Sequence, residues 1–401
     1  MRKMILLALV AMLTTGAYAG KAKKHSVNKN KPVFTILKEN KITSIKDQNR
    51  SGTCWCYSTL AFLESEILKK TGKTYDLGEM FVVNKTYLDR AKAAIRMHGD
   101  VSYSEGGSSY DPIYCAVNYG MVPESAMPAP GTLQGDSLAD FKELTPITKG
   151  YVDALNKSEI KKLSPIWTQG FQSILDSYLG KCPEKFTYEG KEYTPKSFAA
   201  SLGLDWNDYV SITSYTHHPF WKPFIVEVQD NWRWAESYNV PMEDMMRIID
   251  NAVNEGYTIA WGADVTEEGF TRKGVAMMAD MSKVRNMSGT DADHWFKLDK
   301  KDKQEKLDSL GITIPEITPT QEMRQKAFDN WETTDDHGMQ IFGIAKDQTG
   351  RKYYMVKNSW GNYGDYKGIW YVSEKFVAYK TMDYMVNKNA IPADIRQKLG
   401  I

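Results

Sequence analysis

Cysteine, histidine and net charge are all scarce in this chain of 401 residues, and each shortage closes off a class of protein. The four cysteines, Cys54, Cys56, Cys115 and Cys182, are too few and too unevenly spaced for a disulfide-stapled scaffold or a paired CxxC zinc module. A formal charge of +1 gives no bulk argument for binding nucleic acid. No apolar run reaches the roughly 20 residues that cross a bilayer. Of the six histidines, His217 and His218 are adjacent but lack a further ligand at helical or hairpin spacing, so they read as loop residues. Neither a metal nor a cofactor is expected.

What is present starts with an export pattern. Arg2 and Lys3 precede the apolar run Met4 to Leu13, and Ala17-Tyr18-Ala19 stands before Gly20, which predicts a signal peptide over 1–19. Its removal takes away Arg2 and Lys3 and no acid, turning the charge from +1 to −1. The expected destination is the periplasm or the cell exterior. A basic leader follows over 20–33 and reads as solvated.

With 42% hydrophobic residues the chain can bury a large core. The loop SIKDQNRSGT runs into a helix on which Cys56, Leu60, Leu63 and Ile67 share one face, and Gly72 after Lys69 and Lys70 ends it. Cys54 then falls in the first turn, pointing away from the buried stripe that holds Cys56. Farther on, Tyr257 to Val265 reads as a strand, and Met339–Lys346 and Arg351–Asn358 form a hairpin around Asp347-Gln348-Thr349-Gly350. Pairing Lys346 with Arg351 sets Asn358 opposite Met339, two residues from His337.

These placements allow nucleophilic chemistry. A free thiol, with a pKa of about 8.5, is mostly protonated near neutrality. The positive end of a helix dipole and an imidazolium at His337 would stabilise the Cys54 thiolate, with Asn358 orienting the ring. Gln48, on the loop entering the helix, would donate with the Cys54 N–H to an oxyanion, and Gly52 would let substrate backbone approach.

Gln48-Asn49-Arg50-Ser51-Gly52-Thr53-Cys54-Trp55 resembles the nucleophile loop of papain-like cysteine peptidases, and Lys357-Asn358-Ser359-Trp360-Gly361 resembles their Asn motif. Within that superfamily the bleomycin hydrolase and aminopeptidase C branch is the nearer likeness. It is carried by Glu105-Gly106-Gly107, Tyr119-Gly120-Met121-Val122-Pro123, Leu179 to Thr187, Trp261 to Val265 and Val386 to Pro392.

The resemblance implies an α+β, two-lobe fold: a helical lobe over 34–128 with Cys54, a large elaboration over 129–250, and a sheet-rich lobe over 251–401 with His337 and Asn358. It implies peptide substrates, with Gly106, Gly107, Trp55 and Trp360 bordering the cleft and Trp360 covering the His–Asn bond. It also implies a homo-oligomer, a hexameric ring, and a C-terminal arm that anchors the substrate amino group. The tail here, ending soon after Pro392, reads as short for that arm.

Three functions stay open at this point: an aminopeptidase, an endopeptidase with an open cleft, and a silent binding scaffold. His294 is the rival base, without a hairpin Asn to orient it, and reads as structural. Cys115 and Cys182 read as packing or surface residues, with a bridge between them open in an oxidising compartment.

Overall fold

The structure, a computed structural model, describes residues 30–130, 138–283 and 299–401. The export segment, most of the basic leader and His294 lie outside the described residues. Among the described residues no helix is long and apolar enough to cross a membrane.

In chain order, strand β1 (Thr35–Glu39) precedes helices α1 (Cys54–Thr71), α2 (Glu79–Arg96), α3 (Tyr110–Asn118), α4 (Leu144–Asn156) and α5 (Ile166–Leu179). The small hairpin β2 (Phe186–Tyr188) and β3 (Lys191–Tyr193) follows, then α6 (Pro195–Ser201), β4 (Tyr209–Thr213), β5 (Pro223–Ile225), β6 (Glu236–Asn239) and α7 (Met242–Asn254). The remaining strands are β7 (Ile259–Ala263), β8 (Val275–Ala276), β9 (His337–Lys346), β10 (Lys352–Lys357), β11 (Ile369–Ser373) and β12 (Thr381–Asn387). Helices Lys300–Leu310 and Gln321–Asp329 occupy part of the charged stretch before β9.

Two cores follow from this order, giving the α+β two-lobe architecture. One gathers the apolar faces of α1 to α6, with Leu60, Leu63, Phe81, Val152 and Phe171 fully enclosed. The other lies on the large sheet, around Ile249, Trp261, Ile341, Val356 and Tyr384. The sheet runs β5-β6-β4-β12-β7-β9-β10-β11-β8, and β1 adds to β9. Residues 209–239, within the elaboration, supply three of its strands.

Helix α1 joins the lobes because it is buried nearly all round, from Trp55 to Ile67. Gly72 ends it at φ +71, a conformation that a side chain would strain. Across the lobe boundary Gln340 of β9 donates to Ala61 O at 3.1 Å, to Ser65 Oγ at 2.8 Å and to Thr258 Oγ1 at 3.0 Å. Three partners on a buried amide fix α1 against the sheet more specifically than apolar contact does.

The β9–β10 hairpin forms as its sequence predicts, with one local difference. Its turn is a residue longer, since Lys346 pairs with Lys352 rather than Arg351, and Phe342 then bulges out between Ile341 and Gly343. The Asp347 carboxylate closes the turn by accepting from Thr349 N at 2.8 Å and Arg351 N at 3.1 Å. Beyond the bulge Val356 faces Ile341 and Lys357 faces Gln340, so the expected register returns where the site lies.

Candidate active site

Cys54 is the first residue of α1, and no side chain caps the helix head. Thr53, which could do so, instead bonds Ser51 through its hydroxyl at 2.6 Å. The first N–H groups of α1 therefore stay unclaimed by a side chain beside the thiol, a local arrangement suited to an anion. All four cysteines are free thiols, and Cys56 lies in the core as expected.

His337 opens β9, and strand pairing sets it opposite Ala263. Its neighbour Gly338 lets the strand touch α1: a Cβ there would lie 2.6 Å from Ser58 Oγ and 3.2 Å from Cys54 O. Any larger residue would push the base away from the nucleophile's helix. Cys54 and His337 line one groove, together with Trp55, Gly107, Ser108, Asp230, Asp335 and Asp383.

The imidazole's proton can be placed from its partners. Asn358 Oδ1 accepts from the Ser359 backbone N–H at 2.7 Å, and a backbone N–H only donates, so this atom is the amide oxygen. His337 Nε2 lies 2.8 Å from the same oxygen and must therefore carry hydrogen. Nδ1 is left as the basic atom. Trp360 stacks on the ring, with centroids 4.7 Å apart, and covers this bond.

Gln48 is buried beneath the loop. Its Nε2 donates to Ser51 O at 2.7 Å, and its Oε1 accepts from Ser359 Oγ at 2.6 Å, which ties the nucleophile loop to the Asn358 loop. One amide hydrogen remains for an oxyanion. Gly107 packs on Trp55 at the groove, whereas the Asp230 carboxylate fills the space beside Gly106, whose carbonyl accepts from Arg90. Gly106 is thus covered by Asp230, and Gly107 alone of the pair lines the groove.

Enclosure opposes both members of the ion pair expected from sequence. Burial, reinforced by the negative charges of Asp335 and Asp230, pushes the Cys54 thiol up to about 12, against the pull of the Gly338 and Trp55 N–H groups. Burial likewise depresses His337 to about 4, and its bond to Asn358 only partly opposes this. Burial thus works against the thiolate and the imidazolium, each taken by itself.

The carboxylates of this groove carry no recognisable motif and were not legible in the sequence. Asp335 is exposed, yet the groove around it and then repulsion from Asp230, Asp383 and Asp336 hold its carboxyl above the usual carboxylate range. Burial raises Asp383 to about 6, with a hydrogen bond from Ser211 opposing. Glu105 was missed too, although it stands in the quoted Glu-Gly-Gly: its carboxylate accepts from Gly52 N and Thr145 Oγ1, fixing the nucleophile loop.

Asp335→Asn removes the carboxylate whose charge does more than that of Asp230 to raise the thiol. The onset of Cys54 alkylation by iodoacetamide is expected to move to lower pH, and a profile that stays put or moves up would contradict this electrostatic reading.

Comparison with known proteins agrees with this geometry. Residues 94–400 match the model of the Peptidase C1-like family, and residues 32–125 match that of the papain family cysteine proteases. The chain is 21% identical over 394 residues to aminopeptidase G of Lactobacillus delbrueckii subsp. lactis, covering 89% of this chain and 84% of that one. It is 22% identical over 388 residues to aminopeptidase E of Lactobacillus helveticus, covering 86% and 81%. The crystal structure of PepW from Lactobacillus rhamnosis superposes with a TM-score of 0.68 at 18% identity, over 91% of this chain and 84% of that one, which supports the fold. The chain belongs to the peptidase C1-like family and is a cysteine-type peptidase.

Proposed function

We propose that this protein is an exported aminopeptidase that works through an acyl-enzyme. The observation that carries the chemistry is the Nε2–H bond to Asn358, which leaves His337 Nδ1 as a base in the groove shared with Cys54. On substrate binding the Cys54 proton passes to Nδ1, and the thiolate attacks the scissile carbonyl. The oxyanion takes hydrogen bonds from Gln48 and the Cys54 N–H. His337 then returns the proton to the leaving amine, and water hydrolyses the thioester.

The preference for a free amino terminus rests on the acidic wall. Asp230, Asp335, Asp336 and Asp383 line the groove, and among the described residues their one ion pair is Arg90 with Asp230, at 3.2 Å. Crowded carboxylates of one sign favour a cation, and a substrate ammonium is the one a peptide always offers. Ile401, whose carboxylate the family likeness put forward for this role, packs against the sheet-side core and is not among the groove-lining residues. The relatives named aminopeptidases support the same reading.

Export rests on the pattern over 1–19, and a hexameric assembly on the family likeness. Both are checked by amino-terminal sequencing and light scattering of the protein recovered from its native host.

Paired fluorogenic dipeptides, one with a free and one with an acetylated amino terminus, test the specificity. The free form is expected to turn over far faster. Equal turnover would remove the aminopeptidase reading in favour of an endopeptidase.

A further inference from the structure

The elaboration holds a second constellation away from the catalytic pair. After β4 the chain bends at 216–218, and this bend brings the adjacent rings of His217 and His218 onto one side. His217 Nε2 lies 3.0 Å from Glu227 Oε2, and His218 Nε2 lies 3.0 Å from Glu227 Oε1. One ligand atom from each residue falls within 4.8 Å of the other two. Sequence spacing concealed this, because the third ligand arrives from beyond β5.

The rings are held from behind. His218 stacks on Phe224 with centroids 4.4 Å apart, and His217 packs on Phe328 at 5.7 Å. Gln325 Oε1 stands 3.3 Å from His217 Nδ1 and accepts from the Thr216 backbone N–H at 2.5 Å. Gln325 Nε2 stands 3.1 Å from the same ring atom, so either amide atom can serve Nδ1. The amide Nε2 donates while the ring hydrogen is on His217 Nε2 toward Glu227. The amide Oε1 can accept once a cation takes that place and the hydrogen moves to Nδ1, the usual outer support of a ligating histidine. Asn239 Nδ2 donates to His218 O at 2.9 Å and fixes the bend.

From this geometry we infer that His217, His218 and Glu227 bind a divalent transition-metal ion, with zinc as the natural fit. Two imidazoles and one carboxylate form the three-ligand set of four-coordinate zinc, and water supplies the fourth position from the solvent side. One oxygen ligand among three donors disfavours calcium and magnesium, which take mainly oxygen.

The site reaches the groove through the backbone. Glu227 sits between Val226 and Val228, which line the groove with Asp230. An ion that ties Glu227 to the bend after β4 therefore staples this wall in place. Its role is positioning, since it touches no reacting atom.

The test uses the full-length chain carrying Cys54→Ala, so that zinc cannot report on the catalytic thiol. After chelator stripping, titration with zinc chloride in a calorimeter is expected to give one equivalent per chain. Cobalt(II) should show the intense visible bands of a four-coordinate ion, and zinc should slow hydrogen exchange over 216–230.

His217→Gln and Glu227→Gln, made separately at exposed positions, should each lose the one-to-one step while keeping the circular dichroism spectrum. A flat titration of the parent, or a step that persists unchanged in both variants, would overturn the site and assign any bound zinc elsewhere. Neither outcome bears on the aminopeptidase reading, which depends on turnover.

Discussion

Replacing Cys54 by alanine is expected to abolish peptide hydrolysis and labelling by a thiol alkylator together, with the thermal midpoint little changed. Cys54 is half-buried at a groove rather than packed in a core, so loss of its sulfur leaves no large cavity. His337→Ala removes the base and should lower turnover on the order of 10²- to 10⁴-fold. Because the two groups act as one unit, the double variant should be no slower than Cys54→Ala alone. Turnover surviving in Cys54→Ala would eliminate thiolate attack. Additive losses in the double variant would mean that His337 acts on something other than this thiol.

The second large effect concerns stability. Lys46, two residues before Gln48, places its ammonium 2.6 Å from Glu79 and from Asp76 and 3.6 Å from Glu64. Glu64 and Glu79 are almost wholly enclosed, with side-chain exposures of 1% and 3%. Burial alone would discharge Lys46, but the charges of Glu79, Glu64 and Asp76 outweigh it and hold the ammonium well above its ordinary range. Burial pushes Glu79 up to about 7, with Lys46 pulling the other way.

Lys46→Met strands two buried carboxylates and should cost about 3–5 kcal/mol in chemical unfolding. The sign of its pH dependence follows. A lysine whose folded pKa is raised contributes fully below its unfolded value, so the parent keeps this contribution across the neutral range. Glu79, raised in the fold, destabilises as pH climbs from about 4.5 through 7, and more so without its counter-ion. The deficit of Lys46→Met should therefore shrink as the medium is acidified, and Glu79→Gln should restore part of it at pH 8. A deficit under about 1 kcal/mol would place this cluster among weak surface pairs.

Legibility followed locality. Helix α1, its stop at Gly72 and the inward face of Cys56 were readable because period and end signals lie within one segment. The meeting of His337 with Asn358 was readable because a hairpin is local and its pairing can be counted. The placement of Asp230 against Gly106 was not, since nothing in the stretch around residue 230 signals that it returns to the nucleophile's groove. The same holds for Glu227, which meets His217 and His218 only after the excursion through β5. Burial effects on the two charges also escaped the sequence. They depend on how deeply Cys54 and His337 are enclosed, a property of the assembled lobes.

The Phe342 bulge has a bearing on how this strand tolerates changes in length. On either side of it the ladder is closed, Gly343 against Met355 and Ile341 against Val356, so Phe342 is a residue that the pairing does not count. Loss of any one residue from 338 to 341 would turn the imidazole to the opposite face of the sheet. Loss of Phe342 would leave both halves of the β10 ladder in register and sacrifice the ring it buries and the carbonyl that accepts from Asn40 N at 3.0 Å, making that position a point where β9 can shorten with the catalytic base still in place.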